Sequence, residues 1–199
     1  MKKKGLALVL ALALMVVGAV AGTLAWLTAT SDTVTNTFTT SDITVKLEET
    51  KGTPVTGGME FKMIPGYAIK KDPTVTVLAN SEECFLFVKL DKSGNFDKFL
   101  TYTMAEGWQE LKGDGIAPET VYYRVVDGTE NQIGKPYSVL KNDQVTVKNS
   151  VTKTDMEALN AQGAVKPTLT ITAYASQLYK NANKDTFSAL DAWKNIANK

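Results

Sequence analysis

Short segments in which apolar and polar residues alternate recur along the chain and constrain its fold more than any other feature. Residues 43–48 (Ile-Thr-Val-Lys-Leu-Glu) place three apolar side chains on one face of an extended chain and three polar ones on the other. Residues 74–78 and 144–148 repeat this alternation, with β-branched residues in each. A period of two with β-branched side chains is typical of half-buried strands, so these segments predict antiparallel β-structure.

Three further segments extend the β prediction. Residues 84–90 are almost continuously apolar, which indicates a central strand covered on both faces, and Cys84 begins this segment. Residues 121–126 and 169–174 also have strand character, and Gly-, Pro- and Asp-containing turns separate the segments. Many short strands with few helices predict an all-β fold, an antiparallel jelly-roll β-sandwich with short peripheral helices.

Two helices are predicted beside the strands. Residues 154–159 begin with Thr154 as a capping residue and have an acidic first turn. Near the C-terminus, Thr186 is the predicted cap of a second helix. The apolar residues that recur there near helical spacing are Phe187, Leu190, Ala197 and either Trp193 or Ile196.

The N-terminus has the three parts of a secretory signal peptide. Three lysines follow Met1, an apolar run covers residues 5–21, and small residues stand at the −3 and −1 positions of a cut after Ala25. The alternative is an uncleaved transmembrane anchor, but no basic cluster follows the apolar run. We therefore expect cleavage between Ala25 and Trp26 and a secreted chain that meets the membrane only through the uncleaved peptide. The predicted divisions are a signal peptide (1–25), an N-terminal strand segment (26–40) and a β-sandwich with a C-terminal helix (41–199).

Composition removes several classes of function. The chain has 22 basic and 21 acidic residues, with no basic patch of the kind that binds nucleic acid. It has one cysteine, so no intramolecular disulfide can form. It has no histidine, which removes the commonest general base and metal ligand, and with them HExxH zinc proteases and Ser-His triads. We predict no catalytic residue and no cofactor.

One short segment has the composition of a weak calcium loop. Asp91, Ser93, Asn95 and Asp97 place oxygen-bearing side chains at alternate positions. However, Phe96 and Tyr102 stand where an EF-hand needs Gly and a bidentate Glu. A hairpin turn is the preferred interpretation of this segment.

Residues 26–40 differ in composition from the rest of the chain. Seven of the fifteen are Thr, Asp32 is the sole charged residue, and Gly and Pro are absent. One interpretation is a first strand with a frayed start. The other is a donor strand that pairs with the sheet edge of another subunit, anchored by Trp26, Val34 and Phe38.

Residues 22–28 (Gly-Thr-Leu-Ala-Trp-Leu-Thr) and 31–39 resemble the start of TasA/camelysin-like proteins. Further similar segments are Lys62–Gly66, Lys71–Val77 and Phe187–Trp193. The resemblance implies export through a SipW-type signal peptidase and a jelly-roll subunit that polymerises into fibres on the bacterial cell surface or in a biofilm matrix. In such fibres the mature N-terminal strand completes the sheet of the next subunit.

The resemblance makes self-association the expected partnership, with other matrix or surface proteins as further candidates. Relatives called camelysin are labelled metalloproteases, so a secreted metalloendopeptidase is one alternative function. A monomeric surface adhesin or ligand-binding sandwich is the other.

Overall fold

The computed structural model describes residues 43–197, which form an antiparallel, mostly β fold. The strands are β1 (Val45–Glu48), β2 (Thr53–Val55), β3 (Gly58–Glu60), β4 (Ala68–Lys70), β5 (Thr74–Val77), β6 (Cys84–Lys92), β7 (Leu100–Thr101), β8 (Gln109–Glu110), β9 (Val121–Val126), β10 (Pro136–Ser138), β11 (Gln144–Val147) and β12 (Leu169–Gln177). The helices are α1 (Phe96–Phe99), α2 (Gly128–Ile133), α3 (Lys153–Asn160) and α4 (Ala189–Ala197), with a 3₁₀ turn at Lys141–Asp143. The predicted all-β class is confirmed.

The strands form three larger sheets and one hairpin. Their orders are β1-β5-β10, β4-β11-β7 and β12-β6-β9-β8, and β2 pairs with β3. Every pairing is antiparallel. Buried residues from all three larger sheets belong to one core, as in a β-sandwich. The jelly-roll order of connections stays a prediction.

Strand β6 is central, as its continuous apolar sequence predicted. It pairs with β9 on one side and with all nine residues of β12 on the other. Its even-numbered side chains, among them Leu86 and Val88, enter the core shared with the other sheets. Its odd-numbered Phe85 and Phe87 face a second, smaller core beneath α4. Both faces of β6 are therefore covered, which explains why an alternating pattern is absent from its sequence.

Helix α4 closes the outer face of the four-stranded sheet. Trp193 packs against Phe87 at 5.4 Å between ring centroids and meets Tyr174 edge-on at the same distance. Ala192 is fully buried beside it. The C-terminal helix therefore belongs to the folded core.

Both predicted helices exist, but their caps differ from the sequence prediction. Helix α3 is capped by Thr152, because its hydroxyl accepts the Asp155 N–H at 3.2 Å while the Asp155 carboxylate accepts the Thr152 N–H at 3.0 Å. Before α4, the Ser188 hydroxyl accepts the Asp191 N–H at 3.1 Å. Thr186 instead forms an isolated β-bridge with Tyr179. The predicted caps Thr154 and Thr186 were wrong by two residues each.

Candidate functional site

An open groove of about 1090 Å³ lies where β1, β4 and the first residues of β12 approach one another. Its deepest lining is buried and apolar, and consists of Phe96, Leu100, Val145 and Leu159. Helix α3 supplies Leu159 and Met156 to this lining. The groove is therefore an extension of the main core that remains open to solvent.

Three unpaired strand edges converge on this groove. β1 pairs only with β5, β4 only with β11, and β12 only with β6, within the described part of the chain. Leu47 of β1, Ile69 of β4 and Ile171 of β12 all line the groove. Unpaired edges present backbone N–H and C=O groups that favour pairing with another strand.

The inner side chains of β12 are less buried than those of the strand with which it pairs. Leu169, Ile171, Ala173 and Ala175 point toward the main core, yet each is only half-buried. On the neighbouring strand β6, Leu90 and Val88 are fully buried. β1 lies close to β12, and the part of β12 that lines the groove is its first three residues, Leu169–Ile171.

The β2–β3 hairpin forms one rim of the groove. Val55, Met59 and Glu60 line the groove from this hairpin. An ion pair of 3.0 Å between Glu60 and Lys166 joins the hairpin to the segment before β12. Thr56 and Gly57 form the turn of this hairpin.

Asp72 holds the chain segment that leads from β1 into that hairpin. Its carboxylate accepts the Thr50 N–H at 2.9 Å, the Thr50 hydroxyl at 2.6 Å and the Lys51 N–H at 2.8 Å. Burial acts to raise the pKa of Asp72, but these hydrogen bonds outweigh it and hold the pKa below its usual range. The ionised carboxylate therefore anchors the chain that leads from β1 to β2.

The apolar side chains at the rim of the groove are far more exposed than those of the core. Leu47 is 36% exposed, Val55 48% and Ile64 56%. Met59, Met63 and Met156 add three half-buried thioethers to the same lining. Methionine adapts its shape to irregular partners, so this lining suits a bound segment whose side chains vary in size.

The charges around the groove are paired with one exception among the described residues. Lys71 contacts both Glu49 carboxylate oxygens at 2.9 Å, and this pair is largely shielded from solvent. Glu48 pairs with Lys46 on β1 at 2.8 Å. Lys62 also lines the groove and has no ionic partner among residues 43–197.

The segment considered as a calcium loop runs from the end of β6 through a short turn into α1. It is not the predicted hairpin turn, because the following strand β7 pairs with β11. Its four oxygen-bearing side chains all have protein partners. Asp91 pairs with Lys89, Asp97 with Lys92, Ser93 donates to Asn95, and Asn95 donates to the Val165 carbonyl. Within the described ranges, no three His, Cys, Asp or Glu side chains are grouped as metal ligands.

The remaining predicted site residues lie outside the described part. These are Ala25 and Trp26 of the cleavage site and the donor anchors Trp26, Val34 and Phe38. The groove itself was missed by the sequence prediction. Lys62 and Met63 belong to a segment that carried part of the family resemblance, but local sequence gave them no role.

No family model, curated protein or solved structure matches this chain. Among residues 43–197, no helix has the length and apolar character needed to cross a membrane. The resemblance to TasA/camelysin-like proteins stays a prediction.

Proposed function

We propose that this protein is a secreted structural subunit of extracellular fibres. The mature N-terminal segment of one copy, residues 26–40, occupies the groove of the next copy as an added β-strand. The main support is that, within the described residues, three unpaired strand edges converge on one open apolar groove. Backbone hydrogen bonds to an edge supply affinity in such strand addition, and side-chain pockets supply specificity.

The segment is long enough to cover the edges at the groove. Among the described residues these edges are β1 and β4, with four and three residues, and Leu169–Ile171 of β12. Fifteen residues extend about 50 Å as a β-strand, so residues 26–40 can pair with any of these edges and leave residues to connect neighbouring copies. Strand addition from copy to copy is a head-to-tail contact, which builds a fibre when the rotation between copies does not close into a ring.

The composition of the segment supports the same occupant. Its many threonines favour extended backbone, and a Thr-rich strand has little apolar surface with which to fold alone. Its anchors Trp26, Val34 and Phe38 are spaced for one face of a strand, and they match the apolar lining beside Ile171.

The main test removes the donor segment. Purified protein that begins at Trp26 is compared with protein that lacks residues 26–40, by electron microscopy and light scattering. We expect fibres from the first and folded monomers from the second, because both cores lie within residues 43–197. Circular dichroism and thermal unfolding check that the shortened protein is folded.

A synthetic peptide of residues 26–40 provides the matched control. It should bind the shortened protein and block fibre growth by the full mature chain, whereas a peptide with Val34→Ser and Phe38→Ser should do neither. Fibres from the shortened protein would contradict the proposal. So would a mature chain that stays monomeric under every assembly condition, with residues 26–40 paired in its own sheet, which would favour the adhesin.

The peptidase alternative has its own test. Casein cleavage by the mature chain that disappears with a chelator and returns with stoichiometric zinc would replace the structural function by catalysis.

A further inference from the structure

One positive charge in the groove is left without a partner among the described residues. The other charged side chains that line the groove are engaged in ion pairs: Glu48 with Lys46, Glu49 with Lys71, and Glu60 with Lys166. Lys62 lies between the β2–β3 hairpin and β4, and no carboxylate within residues 43–197 forms an ion pair with it. A bound strand that carries one negative charge would complete the set.

The proposed donor segment carries one charged side chain, and it is negative. Asp32 is the sole Asp, Glu, Lys or Arg in residues 26–40. In an extended strand Asp32 shares a face with Val34 and Phe38, because all three have even numbers. The face that carries the apolar anchors therefore also presents the carboxylate.

We propose that Asp32 of one copy forms an ion pair with Lys62 of the next copy, and that this pair sets the register of the added strand. The proposal rests on the proposed function, because it assumes that residues 26–40 of a neighbouring copy occupy the groove.

The threonines of the segment do not by themselves define a register, so an ion pair is needed to help set it. A shift of one residue exchanges the two faces and is prevented by the apolar anchors. A shift of two residues keeps the faces, and on the odd-numbered face it replaces Thr33, Thr35 and Thr37 by the next threonine along. It displaces the apolar anchors as well as Asp32, so the ion pair acts together with the anchors. That shift moves Asp32 by roughly 7 Å along the strand, which is too far for an ion pair with a fixed partner.

The ion pair contributes more to the choice of register than to the affinity of the bound strand. A partly desolvated ion pair gains little over apolar contact, since its attraction is offset by lost hydration. A like-charge contact at the same place costs far more, and wrong registers separate Asp32 from Lys62. The pair therefore selects one alignment from several of similar strength.

Charge reversal tests the pair. In the purified mature chain, Asp32→Lys and Lys62→Asp should each raise the critical concentration for fibre assembly by at least about tenfold at low salt. The double variant should return it close to the wild-type value. Raising the salt to about 0.5 M should shrink the differences, because ions screen exposed and half-exposed charges.

Mixing the two single variants gives the sharpest readout. Alone, each variant presents like charges at its own contact. In the mixture, the lysine introduced by Asp32→Lys meets the aspartate introduced by Lys62→Asp on the other variant. The unchanged Asp32 of the second variant likewise meets the unchanged Lys62 of the first. An equimolar mixture should therefore assemble near the wild-type concentration into alternating fibres, and only a contact between different copies predicts this rescue.

The control is Lys141→Asp, which makes the same charge change at an exposed residue outside the groove and should leave assembly unchanged. Wild-type assembly by both single variants would overturn the pair, and so would folded single variants that neither the double variant nor the mixture rescues. Either result leaves the proposed function standing if removal of residues 26–40 still abolishes fibres. If the shortened protein forms fibres, the proposed function falls first.

Discussion

The four-stranded sheet contacts helix α4 on its outer face and borders the groove at its β12 edge. Apolar side chains are buried under α4 and partly exposed in the groove. Beneath α4, Phe87 and Ala192 are fully buried and Trp193 is only 8% exposed. In the groove, Val55 and Ile64 remain about half exposed. The chain covers one apolar surface with its own C-terminal helix and leaves the other uncovered within residues 43–197. Apolar surface left open beside unpaired edges is typical of a binding site.

The largest effect is expected beneath α4. Trp193→Ala removes the ring that contacts Phe87 and Tyr174, and should lower the free energy of unfolding by about 3–5 kcal/mol. Urea unfolding followed by circular dichroism measures this loss. A loss below about 1 kcal/mol would mean that α4 covers the sheet without stabilising it, which would remove the contrast with the groove.

A smaller effect is expected at the cap of α3, the helix that lines the groove. Thr152→Ala removes a capping hydroxyl and should cost about 1 kcal/mol. Thr154→Ala is the matched control, because it changes the cap that the sequence predicted and should cost less than about 0.5 kcal/mol. Equal losses for the two variants would contradict the observed capping box.

The same cap should make α3 sensitive to acid. Hydrogen bonds with Lys98 and then Thr152 hold the pKa of Asp155 well below its ordinary value of 3.8. Because the folded-state pKa is lowered, the contribution to stability is complete above the unfolded value and disappears as the pH falls through the folded one. Unfolding measured across this range should show the curves of wild type and Asp155→Asn converging in acid. Curves that remain parallel would exclude this carboxylate as the cause.

The smallest effect on stability is expected at the groove rim. Ile64→Ser and Ile133→Ser change two exposed isoleucines, one that lines the groove and one on α2 outside it. Both should alter the free energy of unfolding by less than about 0.5 kcal/mol. Only Ile64→Ser should weaken fibre assembly, as measured by light scattering. Equal assembly by both would indicate that the groove rim is not a contact surface.

Local sequence predicted the long elements well, because hydrophobic periodicity is a local property. Residues 121–126 coincide with β9, and the apolar run that starts at Cys84 coincides with most of β6. Local sequence does not distinguish the two candidate caps of α3, because Thr152 and Thr154 each have an acidic residue three positions later. Val151 is buried in the main core and Met156 packs against it, so tertiary packing fixes the helix start at Thr152.

Short and irregular elements could not be predicted. β7 and β8 have two residues each, too few to show a period, and they exist because neighbouring strands pair with them. The groove is assembled from residues as distant in sequence as Leu47, Met156 and Ile171. No local pattern encodes such a meeting of distant segments.

The sequence by itself determined that this chain forms antiparallel strands, with a central apolar strand at β6 and a C-terminal helix, because alternation and apolar runs decide which faces are buried. It also singled out residues 26–40 by their threonines and their one charge, and predicted that cleavage after Ala25 separates them from residues 1–25. Tertiary structure alone decided which strand edges remain unpaired among residues 43–197. It also placed Lys62 in the groove with no acidic partner among those residues. Those properties depend on contacts between residues far apart in the chain, and only the folded arrangement brings them together.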